Sequence, residues 1–266
     1  MEKIHIIKIG GNIIDNPERL NTFLKDFAVI PGKKVLVHGG GKIASDLSLT
    51  LGISPKLIDG RRVTDADSLK VVTMVYGGLI NKNVVAQLQA HQCNAIGLTG
   101  ADGNIIQAHK RVHPQIDYGF VGDIDKVDGE KLDVFLKGGF VPVFAALTHD
   151  QQGTMLNTNA DTIAAQLAIA LSGFYQTELV YCFEKKGVLK SIDNENSVIR
   201  QLDETAYQHL KQEGVIAAGM IPKLDNAFET LHKGVHSVII GKAEDLLHSI
   251  TENDVLGTLL QGPVKQ

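Results

Sequence analysis

Several residue types are scarce in this 266-residue chain, and each scarcity excludes a class of function. Aromatic residues make up 5% of the sequence and tryptophan is absent, so stacking platforms for nucleic-acid bases are not expected. The formal net charge of −4 provides no basic surface for nucleic acid or for an anionic membrane. We therefore expect neither nucleic acid nor a membrane as a partner.

Cysteine is almost absent as well. The two cysteines, Cys93 and Cys182, form no disulfide framework and lack the spacing of a zinc site, so we predict a reducing compartment and no protein-bound metal. Apolar runs stay well short of the roughly 20 residues that span a bilayer. The segment Lys3-Ile4-His5-Ile6-Ile7 near the N-terminus indicates a buried strand and not a signal peptide. These absences predict a soluble, cytoplasmic protein.

Short apolar runs alternate with helical stretches along the chain. The runs predict parallel strands covered on both faces, at 4–9, 34–38, 94–99, 141–147, 179–183 and 235–240. Helices are predicted at 18–27, 67–90 and 160–171 and near 204 and 220, and Thr64 with Asp67 suggests a capping box before the second of them. The alternation predicts an α/β fold, a three-layer αβα sandwich with a central, mainly parallel sheet.

The chain offers few signs of a boundary between lobes. The connection between predicted elements with the weakest sequence pattern is Ser172-Gly173. It predicts an N-terminal lobe of residues 1–172 and a C-terminal lobe of residues 173–266. Residues 103–127 carry short alternating pieces that predict hairpins or an extension at the edge of the sheet. Residues 261–266 are expected to form a frayed tail.

Two glycine-rich segments follow the first two predicted strands, Lys8-Ile9-Gly10-Gly11 and His38-Gly39-Gly40-Gly41-Lys42. Adjacent glycines let backbone N–H groups approach an anion closely, and Lys8 adds a positive charge. The second segment is not a Walker A loop, because Ile43 stands where Ser or Thr is needed. A turn needs only one glycine, and each costs roughly 1 kcal/mol relative to alanine in regular structure. Three in a row therefore indicate that a ligand approaches the backbone.

Arginine and lysine mark two further segments. Gly60-Arg61-Arg62-Val63-Thr64 offers an arginine fork that suits a carboxylate or phosphate, with a solvated basic pair as the alternative. Gly219-Met220-Ile221-Pro222-Lys223 places Lys223 in the first turns of a helix, against the helix dipole. That position is more favourable if Lys223 faces an anion.

Polar side chains also alternate before the helix predicted at 160–171. A single helix cap requires fewer polar residues than the three found here, Asn157, Asn159 and Asp161. The two asparagines are candidates for hydrogen bonds to a polar ligand, and Asp161 is a candidate for orienting a cation.

In their order along the chain, the five segments resemble the amino-acid kinase superfamily, and within it the acetylglutamate kinases. The combination that resembles the latter specifically is Gly60 to Thr64, Gly119-Phe120-Val121-Gly122 and Asn157-Thr158-Asn159-Ala160-Asp161. The resemblance implies the amino-acid kinase fold and transfer of a phosphoryl group from ATP to the side-chain carboxylate of N-acetyl-L-glutamate, the second step of arginine biosynthesis. It also implies Mg²⁺ held mainly by the phosphates, a homodimer, an acylamino-acid site in lobe 1–172 and a nucleotide site in lobe 173–266.

The resemblance assigns roles to individual residues. Lys8 would neutralise the moving phosphoryl group and Lys223 the leaving side, with Asp161 holding both lysines, while Gly11 and Gly40 would donate N–H groups to the phosphate. The acceptor would be bound by Gly40, Gly41, Arg62, Asn157 and Asn159. The nucleotide would be bound by Lys8, Gly10, Gly11, Glu184, Gly187 and Lys223. No general base is required, since a carboxylate is already a nucleophile.

One segment departs from the family pattern. The family has Thr/Ser-Asp-Val-x-Gly after the strand predicted at 179–183, where this chain reads Phe183-Glu184-Lys185-Lys186-Gly187, which leaves nucleotide affinity and preference open. The acyl group is open too, since succinyl could replace acetyl in a roomier pocket. A different kinase of the superfamily is another alternative. A non-catalytic binding module is disfavoured because Lys8, Asp161 and Lys223 occur together, and a nicotinamide dehydrogenase because the spaced glycine fingerprint is missing.

Overall fold

The computed structural model describes residues 1–58, 61–191, 193–252 and 254–262. Gly60 of the arginine segment and residues 263–266 of the expected tail lie outside this part. The strands are β1 (Lys3–Ile9), β2 (Lys33–His38), β3 (Lys56–Ile58), β4 (Arg61–Val63), β5 (Ala95–Leu98), β6 (Ile106–Lys110), β7 (Gly122–Val127), β8 (Val141–Ala145), β9 (Leu147–His149), β10 (Met155–Asn157), β11 (Gln176–Phe183), β12 (Gln201–Leu202), β13 (Ser237–Lys242) and β14 (Thr258–Gln261). The α-helices are α1 (Gly11–Ile14), α2 (Pro17–Val29), α3 (Gly41–Thr50), α4 (Ala66–Val72), α5 (Asn81–Ala90), α6 (Gly129–Lys137), α7 (Ala160–Leu171), α8 (Glu204–Gln212), α9 (Ile221–His232) and α10 (Leu246–Thr251).

An eight-stranded sheet forms the middle layer, in the order β12-β14-β13-β11-β1-β2-β8-β5. Its strand pairs are parallel except for β13 with β14. Residues of β1 alternate between the two faces, so that Ile4 and Ile6 join one apolar cluster while Ile7 and Ile9 join the other. Helices α6, α7 and α9 complete the first cluster, and α2, α5 and α10 complete the second. The predicted three-layer sandwich with a mainly parallel sheet is confirmed.

The hairpins predicted at 103–127 are present. Strands β6 and β7 pair antiparallel and belong to a small sheet of order β10-β9-β6-β7. A further two-stranded hairpin, β3 with β4, carries Arg62. The small sheet also contributes to the apolar core, since Ile106 of β6 belongs to the first cluster and Leu147 of β9 to the second.

The helix predicted over 67–90 differs from the structure in two respects. Its middle turn, Thr73–Ile80, is π-helical, between α4 and α5. The cap is Asp65, whose side chain accepts a hydrogen bond from the Ser68 N–H at 2.8 Å, so the prediction of a capping box formed by Thr64 and Asp67 was wrong. Thr64 instead takes part in long-range pairing, which sequence spacing does not show.

Two other expectations concern the ends of elements. Gln261 belongs to β14 and pairs with Ser237 of β13, so it is not part of a frayed tail. The division into lobes at residues 172 and 173 stays a prediction, since β1 of the first and β11 of the second pair side by side in one sheet. Within the ranges given above, the structure contains no helix of the length and apolarity that a membrane crossing requires.

Candidate active site

The carboxyl ends of β1 and β11 form one side of the candidate site. The N–H of Gly10 donates to the carbonyl oxygen of Cys182 at 3.2 Å, which fixes the glycine turn against β11. A cavity of about 340 Å³ opens at this point. Its lining includes all six predicted nucleotide-binding residues, namely Lys8, Gly10, Gly11, Glu184, Gly187 and Lys223.

An ion pair joins the end of β1 to the start of α7. Lys8 Nζ lies 2.7 Å from Asp161 Oδ1, and Lys8 is only 9% exposed. Asp161 stands in the first turn of α7, where the helix dipole favours a negative charge. A buried lysine is therefore held in place by a carboxylate that is itself well placed.

Asn159 caps the same helix. Its side-chain oxygen accepts hydrogen bonds from the N–H groups of Asp161 and Thr162 at 2.8 and 3.1 Å. The helix cap thus accounts for the oxygen of Asn159, and Asn159 also lines the second cavity, which is described below.

Lys223 enters the site from α9. Its Nζ lies 3.7 Å from the centroid of the Phe183 ring, and within the described ranges no ion pair of 4.0 Å or less joins it to Asp161. Burial lowers the pKa of Lys223, Asp161 partly opposes this effect and Lys8 adds to it. Asp161 therefore contacts one of the two lysines directly and acts on the other at longer range.

A second cavity, of about 490 Å³, lies beyond the carboxyl end of β2. Its lining includes all five predicted acceptor-binding residues, which are Gly40, Gly41, Arg62, Asn157 and Asn159. Arg62 donates from Nη2 to the carbonyl oxygen of Gly41 at 2.8 Å and to Ser45 Oγ at 2.6 Å. Its Nη1 has no hydrogen-bond partner among the described residues, which leaves donor capacity for an anion.

The segments that suggested the family are joined to one another by backbone bridges. Thr64 pairs with Gly119, and Val121 pairs with Asn157. Asn157 Nδ2 also donates to Thr64 Oγ1 at 2.9 Å. Gly119 has a φ of +69°, and a Cβ there would collide with the carbonyl group of Thr64. These contacts explain why the three motifs occur together.

The triple-glycine segment is held by a buried network that the sequence did not reveal. His38 Nδ1 donates to the Gly39 carbonyl oxygen at 2.9 Å, and its Nε2 accepts from Asn81 Nδ2 at 3.1 Å. Full burial lowers the pKa of His38 to about 4, so the ring is neutral near pH 7. Because the C=O of Gly39 and the N–H of Gly40 belong to one trans peptide, holding the former directs the latter the opposite way.

The structure thus places the predicted binding residues in the linings of two cavities and joins Asp161 to Lys8. It adds Phe183, His38 and Asn81 to the site. Only Phe183 left a signal in the sequence, as the aromatic residue that replaces Thr or Ser in the departing segment. His38 and Asn81 are far apart in the chain and read as ordinary strand and helix residues.

Comparison with known proteins agrees with this architecture. The model of the amino acid kinase family matches residues 3–242, and the chain belongs to that family. An acetylglutamate kinase from Cytophaga hutchinsonii is 58% identical over 261 residues, covering 98% of this chain and 99% of the relative. An acetylglutamate kinase from Bacteroides fragilis is 56% identical over 239 residues, covering 90% and 92%. These relatives confirm the resemblance to acetylglutamate kinases.

A solved structure shows the same fold. The smu.665 protein of Streptococcus mutans UA159 superposes with a TM-score of 0.76 at 28% identity, covering 98% of this chain and 99% of that one.

Proposed function

We propose that this chain transfers the γ-phosphoryl group of ATP to the side-chain carboxylate of N-acetyl-L-glutamate, which yields N-acetyl-L-glutamyl 5-phosphate in the second step of arginine biosynthesis. The observation that carries the proposal is the Lys8–Asp161 ion pair at 2.7 Å. Lys8 lines the cavity of the glycine turn after β1, and Asn159, the cap of the helix that bears Asp161, lines the cavity of the glycine turn after β2.

The chemistry suits these residues. A carboxylate oxygen of the acceptor attacks the γ-phosphorus, and the bond between that phosphorus and the oxygen leading to the β-phosphate breaks. Because both partners are anions, the main tasks are alignment and charge neutralisation. We assign Lys8 to the phosphoryl group in transit, Lys223 to the leaving oxygen, and Asp161 to the placement of Lys8.

Backbone groups complete the acceptor side and the nucleotide side of the proposed transfer site. The N–H groups of Gly40 and Gly41 donate to no backbone carbonyl within the described ranges, which supports their use by phosphate and acceptor. On the acceptor side we assign Arg62 to the α-carboxylate and Asn157 and Asn159 to polar groups. On the nucleotide side we assign Gly10, Gly11, Glu184 and Gly187 to ATP.

We further propose that Mg²⁺ accompanies ATP and offsets the phosphate charge. Within the described ranges, no three His, Cys, Asp or Glu side chains are grouped so as to hold a metal ion, so the phosphates would be its main ligands.

A cytoplasmic location is supported by Cys93 and Cys182, both unpaired thiols. A homodimer formed by the lobe of residues 1–172 is supported by exposed Met74 and Leu79 on the π-helical turn.

Trapping the product with hydroxylamine tests the function directly. The chain is incubated with Mg-ATP and hydroxylamine, and N-acetylglutamate, N-succinylglutamate, glutamate and aspartate are offered in parallel. We expect hydroxamate with the acetylated acceptor and none with free glutamate or aspartate. Absence of hydroxamate with every acceptor would contradict the kinase assignment.

N-succinylglutamate is a second candidate acceptor, favoured by the charges of the second cavity. Lys42 and Arg111 line it together with Arg62, whereas N-acetylglutamate carries only one carboxylate besides the reacting one. Arg111 is already paired with Asp123, at 3.0 Å from Nε to Oδ1, which reduces the charge available. The ratio of kcat/KM for the two acceptors decides between them.

Replacement of Arg62 should act on the acceptor. A hydrogen bond to a charged group contributes roughly 1.5–3 kcal/mol, so Arg62→Ala should raise KM for the acceptor by about tenfold to a hundredfold. KM for ATP should change little, and Arg62→Lys should recover only part of the loss because it lacks the fork. Steady-state kinetics with each substrate varied measure both values. Arg19→Ala, on the exposed face of α2, is the control, and an unchanged KM for the acceptor would exclude the carboxylate assignment.

Two replacements of His38 separate its two hydrogen bonds. Asparagine places an N–H near the position of Nδ1 and can still donate to Gly39, whereas glutamine reaches towards the position of Nε2. A neutral hydrogen bond contributes about 1 kcal/mol, so His38→Gln should lower kcat about five- to tenfold more than His38→Asn. Thermal unfolding of both variants provides the control, because asparagine leaves the larger cavity and should be the less stable. Equal kcat values would mean that the Gly39 bond does not matter.

A further inference from the structure

The ring of Phe183 lies directly beneath the ammonium group of Lys223. The 3.7 Å between Nζ and the ring centroid is well inside the roughly 6 Å over which the negative face of an aromatic ring attracts a cation. Lys8 Nζ lies further from the same ring, at 5.4 Å. Since Asp161 is in direct contact with Lys8, the ring supplies Lys223 with the partial negative charge that Lys8 obtains from a carboxylate.

The ring and the lysine are both held by neighbouring contacts. Phe183 stacks on Tyr181, with centroids 5.9 Å apart and planes at 8°. The hydroxyl of Tyr181 donates to the carbonyl oxygen of Asp161 at 3.2 Å and accepts from Asn226 Nδ2 at 3.3 Å. Asn226 lies one turn after Lys223 on α9, so the helix that bears the lysine is tied to the strand that bears the ring.

We propose that Phe183 is a positioning residue for Lys223, with the face of its ring holding the ammonium group charged and in place at the nucleotide-side cavity. The consequence for turnover rests on the proposed kinase function, whereas the effect on the ammonium group does not. The Thr or Ser that the family has at this position offers no ring face, so the device belongs to the segment in which this chain departs from the pattern.

The charges around Lys223 predict the direction of the effect. Lys8 from β1 and Asp161 from α7 act on its charge through space, and Glu184 and Lys185 line the same cavity. Burial lowers the pKa of Lys223, with Asp161 partly opposing and Lys8 adding to the effect. The ring stabilises the charged form, so its removal should lower this pKa further. Activity that needs the charged lysine should then fall at a lower pH on the alkaline side.

Graded fluorination of the ring tests the electrostatic part alone. Replacing Phe183 by mono-, di- and trifluorinated phenylalanine withdraws charge from the ring face with little change of shape. The pKa of Lys223 is measured in each protein from the pH dependence of its acylation by a small anhydride, followed by mass spectrometry. We expect a stepwise fall that reaches about one unit with the trifluorinated ring, since fluorination progressively removes the attraction of the ring face for the ammonium group. The alkaline limb of kcat should move by the same amount.

Phe183→Leu is the second variant, with Phe174→Leu as its matched control, because Phe174 is 40% exposed and lies outside both cavities. A pKa of Lys223 that does not change with fluorination would overturn the proposal, even if KM for ATP changed, since the ring would then act on the nucleotide. A stepwise pKa shift in a protein that forms no hydroxamate would retain the proposal for Lys223 and contradict only the kinase function.

Discussion

Replacing Lys8 with methionine should lower kcat by about 10²–10³-fold, the loss typical of removing one preorganised donor from a developing charge. The side chain is nearly buried and its Nζ is held 2.7 Å from Asp161 Oδ1. The Lys8 side chain therefore needs no further ordering during the reaction. Methionine preserves most of the apolar stem and removes the charge, so KM for either substrate should change less than kcat.

The control must separate chemistry from folding, because Lys8→Met leaves Asp161 without its partner. Adding Asp161→Asn removes the lone carboxylate and should restore part of the melting temperature. The kcat of the double variant should stay low, since no cation returns to the site. Lys126→Met, at an exposed position of β7, should leave kcat unchanged. If kcat recovered with stability in the double variant, Lys8 would have only a structural role.

The sequence predicted those parts of the fold that depend on local pattern. Helix α7 was predicted with its observed bounds, because its apolar residues recur at helical spacing and Asn159 precedes it. The end of β1 was predicted as well, because its apolar run stops at two glycines, and this pattern alone places Lys8 and Gly10 at the crevice. Parallel pairing then brings the ends of β1 and β11 together by topology.

The rest depends on contacts between distant residues. The cap at Asp65 was missed because Thr64 and Asp67 satisfy the local rule equally well, while Thr64 is taken by its pairing with Gly119. The cation–π contact of Lys223 was missed because Asp161 was expected to serve both lysines. Only the folded chain shows that the Asp161 carboxylate pairs with Lys8 and that the ring of Phe183 lies under the ammonium group of Lys223.

Gly40→Ala is the other change expected to have a large effect. Gly40 has a φ of +150°, and an added Cβ would overlap Ile80 Cδ1 and approach the Tyr76 ring at 3.2 and 3.3 Å. The left-handed backbone costs roughly 1–2 kcal/mol for alanine, and overpacking typically costs a further 1–3 kcal/mol. The peptide that carries the Gly40 N–H must move, and a displacement of about 1 Å can cost 10²-fold in rate. We expect kcat/KM to fall by at least that factor.

Two further variants divide this loss between its causes. Ile80→Val removes Cδ1, so the double variant with Gly40→Ala should regain part of the activity if the collision dominates, which a double-mutant cycle measures. Gly52→Ala is the matched control for backbone strain, since Gly52 also has a positive φ, +77°, but a Cβ there would meet no atom within 4 Å. It should lower the melting temperature without changing kcat/KM. Full activity of Gly40→Ala alone would show that the phosphate does not approach the backbone of this segment closely. The assignment of the Gly40 N–H as a donor to the phosphate would then be wrong.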